Sequence, residues 1–278
     1  MRLKKQERKL TAVAINLLMI ALLSSAGLPD TALAADRVAY DPAAEVDVEL
    51  VLAVDISQSM DEQEQKVQRR GYVAAITSSE VIDAIKMGPT GRIAVTYVEW
   101  GGMGEQHVVV DWQMIDGPET AALFASKIAE SPLRQVQRTS IASALAFSVT
   151  HIENGPFTGL RRVIDMSGDG PNNQGGQVTA ARDQVIAQGI TINGLPLMLK
   201  GSGNGWYHMP NLDHYYEDCV IGGPGSFMVP VYSTEEFGMA IKTKLVMEIA
   251  DLGPRNSGDA SRVLPAAGRK PISCNIFN

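Results

Sequence analysis

Short, continuous apolar runs alternate along most of the chain with stretches whose apolar residues repeat at helical spacing. Val48–Val54 is the first run; Glu49 interrupts its start, but Leu50–Val54 is unbroken, which predicts a strand buried on both faces. Arg92–Trp100, Arg162–Met166, Ile190–Leu199 and Phe227–Val231 read as further strands. His107–Trp112 reads as another, joined to Arg92–Trp100 as a hairpin across the glycine-rich Gly101–Gln106. Glu62–Lys86 predicts a largely helical stretch with Val67, Ala74, Ile82 and Ile85 turned inward. Pro118–Ala129, Val178–Gln188 (stopped by Gly189), the short Leu212–Val220 and Thr234–Ala250 predict helices as well. Ile141, Leu145, Val149 and Ile152 lie on one face of a helix that follows Arg138-Thr139-Ser140.

Strands alternating with helices imply an α/β fold: a doubly wound, mostly parallel six-stranded sheet with one antiparallel edge strand and helices on both faces. One domain over residues 48–250 accounts for these elements, preceded by an extension over 35–47. The Gly-, Pro- and Ser-rich residues 251–278 read as a loop-like tail.

In such sheets, ligands bind beyond the carboxyl ends of the strands, where the strand order reverses. Three polar clusters stand at such places. Asp55, Ser57 and Ser59 follow the first strand at alternate positions, Asp169 follows the fourth, and Thr139 precedes the helix between the third and fourth. If the first and fourth strands are neighbours, Asp55 and Asp169 face each other. These are hard oxygen ligands, suited to Mg²⁺, Mn²⁺ or Ca²⁺. Each residue also has a plainer reading: Ser57 or Ser59 caps the long helix, Thr139 caps the next, and Asp169 serves only as a turn residue.

Taken together, the clusters resemble the von Willebrand factor type A domain and its metal-ion-dependent adhesion site. That family's pattern is Asp-x-Ser-x-Ser after the first strand, a Thr in a later loop, and an Asp, often followed by Gly, after the fourth strand. The matching residues are Asp55-Ile56-Ser57-Gln58-Ser59, Thr139 and Asp169-Gly170. The resemblance covers Val48 to Ala250 and is nearest to a group of uncharacterised secreted bacterial proteins, which share a stretch like Tyr215–Gly225. It implies that Ser57, Ser59 and Thr139 bind a divalent cation directly, with Asp55 and Asp169 often acting through water. Magnesium is the expected cation, with manganese or calcium as alternatives. It further implies a non-enzymatic binding module whose cation captures a Glu or Asp carboxylate of a protein partner.

The chemistry agrees with that expectation. Hydroxyls are neutral ligands, so the cation keeps charge to offer an anionic oxygen at an open position. Hydrolytic metal sites generally also need a positioned base or nucleophile. The chain has no His-x-x-x-His, no Gly-x-Ser-x-Gly and no Gly-x-x-x-x-Gly-Lys. A metal-assisted hydrolase or phosphatase is the alternative, with Asp55 as phosphoryl acceptor, but Ser57 stands where haloacid-dehalogenase-like enzymes carry a second Asp. A metal-free interaction scaffold is another. The four histidines, His107, His151, His208 and His214, show no ligand spacing and read as surface or loop residues.

Lys200–Asn211 leaves the fifth strand on the rim where the cation would sit. Its Trp206, Tyr207 and His208 form a candidate partner-binding rim, with packing over the sheet edge as the other reading. Tyr215 and Tyr216 read as packing residues.

Charge and the termini narrow the setting. Basic residues 2–9, the apolar run Leu10–Leu23 and Ala32-Leu33-Ala34 describe a signal peptide over 1–34, cut after Ala34, which places the protein in the periplasm or outside the cell. Retention of the leader as a membrane anchor is the other reading. Its removal takes five basic and two acidic side chains, leaving 19 basic against 29 acidic and a formal charge of −10. That balance argues against nucleic acid as a partner. Cys219 and Cys274 are the two cysteines. They either pair, which would be worth roughly 4 kcal/mol in the chain-entropy model, or remain two thiols.

Overall fold

The computed structural model describes residues 44–199, 209–251 and 269–276. The leader, Trp206, Tyr207, His208 and most of the tail lie outside the described residues. β1 (Glu45–Asp55) runs through the middle of a sheet that also contains β2 (Ile93–Trp100), β3 (Gln106–Ile115), β4 (Thr158–Gly168) and β5 (Ile190–Pro196). The order is β3-β2-β1-β4-β5. β1 pairs in parallel with both β2 and β4, β4 pairs in parallel with β5, and among these five strands the β2–β3 hairpin is the antiparallel pair. The order therefore reverses at β1, and the carboxyl ends of β1 and β4 lie side by side.

The alternation along β1 separates two cores. Val48, Leu50, Leu52 and Val54 face α1 (Glu62–Ile76), α2 (Ser79–Lys86), α3 (Pro118–Glu130) and α7 (Phe237–Ile249). Val51 and Ala53 face α4 (Ile141–Glu153), α5 (Val178–Ala187) and α6 (Leu212–Tyr215), which continues into a π-helical turn over Tyr216–Val220. Both faces of β1 are buried, as its unbroken apolar run requires. Ile141, Leu145, Val149 and Ile152 form the buried stripe of α4.

Three expectations change. Phe227–Val231 is not a sixth strand: it meets β5 and the residue just past it only through isolated bridges, Gly194 with Met228 and Leu197 with Val231. Pro196 supplies the reason, because it has no N–H to donate where the ladder would continue. Glu62–Lys86 is two helices, broken where the Ser78 side chain caps α2 by accepting from Val81 N–H. The inward face of α1 is also different, since Ala74 is exposed and Gln65, Gln68, Arg69 and Tyr72 are buried instead. That face is polar because it packs on the polar ends of β2 and β4, where Arg69 pairs with Glu99 and Gln68 donates to Ser167 Oγ at 3.0 Å.

A charged cluster sits between β4, β5 and α7. Lys244 Nζ lies 2.5 Å from Asp165 and also pairs with Glu248, and all three side chains are almost fully buried. Asn193 Nδ2 donates to Glu248 Oε1 at 3.0 Å. Burial, reinforced by the negative charge of Asp165, pushes the Glu248 carboxyl up to about 7.

Cys219 and Cys274 are joined in a disulfide. Around it, Arg269 bonds Glu217 and Asp218, and Ile272 N–H donates to Asp218, so the described part of the tail is tied to the π-helical turn. Among the described residues no helix is long and apolar enough to cross a membrane.

Candidate metal centre

Asp55 closes β1, and the chain then turns back on its carboxylate, with Ser57 N–H donating to Asp55 Oδ1 at 2.7 Å. That turn lines up the two hydroxyls, so Ser57 Oγ and Ser59 Oγ are hydrogen-bonded at 2.9 Å. Ser59 Oγ in turn donates to Asp169 Oδ1 at 2.5 Å. The first and fourth strand ends thus meet as the sheet order requires. Neither Ser57 nor Ser59 caps α1, because Asp61 does so in a capping box with Glu64.

Asp55 is fully buried, and its Oδ2 has no hydrogen-bond partner. Burial, with the negative charge of Asp169 second, pushes its carboxyl up to about 8. Room for that oxygen comes from Gly168: a Cβ there would lie 2.9 Å from Asp55 Oδ2 and 2.8 Å from the Tyr216 hydroxyl. The Tyr216 hydroxyl is also buried without a partner. Tyr216 therefore packs in the core, as expected, and also brings a polar atom to the floor of the site.

Thr139 arrives on the loop between α3 and α4. Ser140, not Thr139, caps α4 by accepting from Ser143 N–H. The loop is strapped to the first strand end by Val136 N–H donating to Ile56 O at 3.1 Å and by Gln135 Nε2 donating to Met60 O at 2.8 Å. From the other side, Thr139 N–H donates to Asn173 Oδ1 and Asn173 N–H to Thr139 O, both at 2.9 Å. Asn172 Oδ1 accepts from Ala142 N–H, and Asn172 N–H donates to the Tyr215 hydroxyl. Arg69, bonded to Glu99 and to the carbonyls of Ser131 and Pro132, anchors the start of the same loop. Ser57, Ser59 and Thr139 line one cavity of about 370 Å³.

Arg69, Asn172, Asn173 and Tyr216 support the site although sequence reasoning did not select them. The Asn pair, two residues past Gly-Asp-Gly, carried a signal as turn-forming side chains that bond backbone. The other two carried none, since their partners are remote in sequence. His151 is half-buried, stacked against Trp112 and Phe147, and not the surface residue expected.

The donor set suits a hard cation. Hydrogen bonds link Asp55, Ser57, Ser59 and Asp169, and Thr139 lines the same cavity as the two serines; among the described residues no group of three His, Cys, Asp or Glu side chains could hold a metal by itself. An orphaned buried carboxylate oxygen is costly unless a cation or a bound water answers it.

Residues 45–253 match the family described as "Protein of unknown function (DUF1194)". No curated protein matches the chain. Among solved structures, it is similar to proximal thread matrix protein 1 from the mussel byssus, with 14% identity and a TM-score of 0.53 over 74% of this chain and 48% of that one. The same mussel protein has been solved with a zinc-occupied metal-ion-dependent adhesion site, with 14% identity and a TM-score of 0.54 at the same coverage. A von Willebrand factor type A protein from Catenulispora acidiphila gives 14% and 0.52, over 74% of this chain and 43% of that one. The pilus adhesin SpaC from Lactobacillus rhamnosus GG gives 12% and 0.54, over 74% and 30%. The chain thus spans less than half the length of these structures, and identities this low speak to the fold. The chain belongs to the DUF1194 family and has a von Willebrand factor type A-like fold.

Proposed function

We propose that this protein is a binding module working outside the cytoplasm, which holds a divalent cation at Asp55, Ser57, Ser59, Thr139 and Asp169 and presents it to a Glu or Asp carboxylate of a protein partner. The observation that carries this reading is the unpartnered Asp55 Oδ2, buried under a cup in which Ser57, Ser59 and Asp169 are already hydrogen-bonded. Magnesium suits the oxygen-only set and keeps part of its charge for an incoming carboxylate, because the direct ligands would be neutral hydroxyls and Asp55 and Asp169 would act through water. The Cys219–Cys274 disulfide supports an oxidising compartment. Similarity of fold to matrix and adhesin proteins supports binding rather than turnover.

Thermal unfolding with MgCl₂ or with chelator tests this reading. At cation concentrations about a hundredfold above Kd, the wild type gains about 2.7 kcal/mol. Asp55→Ala and Ser57→Ala lose that gain and still unfold cooperatively. An unchanged cation response in both variants would refute the site.

A further inference from the structure

Arg138 stands immediately before Thr139 and lines the same cavity as Ser57, Ser59 and Thr139. Among the described residues it is the one formally charged member of that lining, in a chain whose formal net charge is −7. Arg138 is exposed, and among the described residues its guanidinium makes no hydrogen bond or ion pair. Its backbone is left-handed, with φ +68°, and the other non-glycine residue described with positive φ is Asp251. Such a conformation costs a side-chain-bearing residue energy that glycine would not incur.

The loop has little freedom to relax out of that conformation. Thr139 is bonded to Asn173 in both directions, and Ser140 N–H donates to Gly101 O at 2.8 Å. Gly101 and Gly102 press from beneath: a Cβ on Gly102 would sit 2.7 Å from Gln137 O. The Arg138 backbone is thereby held at the mouth of the cup, with its guanidinium exposed and free to pair. A cavity of about 370 Å³ falls within the size range of sites that enclose ligands larger than one carboxylate.

We infer that Arg138 is a specificity-determining residue, and that the partner segment is doubly acidic: one Glu or Asp carboxylate goes to the cation, and the carboxylate of an adjacent residue pairs with Arg138. This rests on the cation reading proposed above. Arginine suits the task because its fork of N–H donors matches both oxygens of a carboxylate.

Calorimetric titration of the full chain in MgCl₂ with two peptides, acetyl-Gly-Glu-Gln-Gly-amide and acetyl-Gly-Glu-Glu-Gly-amide, tests this inference. The doubly acidic peptide binds about fivefold tighter, about twofold from offering two equivalent carboxylates and about 2.5-fold from the exposed charge pair with Arg138. Arg138→Gln reduces the ratio to the roughly twofold that two equivalent carboxylates give by statistics, and Arg138→Lys leaves it between the two. Both variants keep a Cβ at the left-handed position, so loop strain is unchanged. A wild-type ratio of about twofold or less, or a fivefold ratio surviving in Arg138→Gln, overturns this inference while cation-dependent binding of both peptides leaves the metal site standing. Loss of all binding to chelator supports the metal site, whereas binding that ignores chelator overturns both.

Discussion

Ser59 Oγ donates to Asp169 Oδ1 at 2.5 Å, joining the loop after β1 to the loop after β4 across 110 positions of sequence. This bond exists only because β1 and β4 are parallel neighbours whose ends coincide. It also orders the cup before any cation arrives, so binding has less chain entropy to overcome.

Asp55→Asn should raise stability in the absence of cation. Asn keeps an oxygen to accept from Ser57 N–H and removes a buried carboxylate whose Oδ2 is unpartnered. The expected gain is about 1–2 kcal/mol in chelator at pH 7, with loss of the magnesium response. Chemical denaturation with and without magnesium measures both, and a destabilised Asn variant in chelator would contradict the account.

Arg69→Gln should cost about 3 kcal/mol, because it strands the buried carboxylate of Glu99. It also frees the Ser131 and Pro132 carbonyls that anchor the Thr139 loop. Cation affinity should therefore fall together with stability, although Arg69 touches none of the proposed ligands. Urea melts paired with magnesium titrations of the folded variant check this.

Gly168→Ala tests the floor of the cup. The added methyl would meet the Asp55 carboxylate and the Tyr216 hydroxyl, both inside van der Waals contact. Overpacking of this kind costs about 1–3 kcal/mol, and the displaced Asp55 should weaken the cation response. A variant with wild-type stability and response would show that the floor yields easily.

The cluster behind α7 sets a pH dependence. Glu248 has its carboxyl raised to about 7 in the folded protein, against about 4.3 for an unfolded chain. Between these values the folded state holds a proton that the unfolded state releases, so this contribution is present below about pH 4.3 and is lost as pH rises through about 7. Glu248→Gln removes the Glu248 titration and leaves Lys244 paired with Asp165, whose own carboxyl is also pushed up by burial. The wild type should therefore lose about 2–3 kcal/mol relative to the variant between pH 5 and pH 8. His151, whose pKa burial lowers, works in the opposite direction but is common to both proteins and cancels in the difference.

Much of the fold was legible because its signals are local. An unbroken apolar run of β1 length is buried on both faces wherever it lies, and Ile141, Leu145, Val149 and Ile152 share a helix face by spacing alone. Reading failed where hydrophobicity was not what drove burial. Ala74 points outward while Gln68 and Arg69 are buried, because remote polar partners await them on β4 and β2. Phe227–Val231 looks like a strand, and only its placement against Pro196 denies it a continuous ladder.

The sequence by itself determined the elements, their alternation and the Asp55, Ser57 and Ser59 spacing, since those depend on residues a few positions apart. Only the tertiary structure decided that Asp169 closes the cup, that Cys219 meets Cys274, and that Gly168 leaves space between Asp55 and Tyr216. These are contacts between distant segments, set by strand order and packing that no local periodicity encodes.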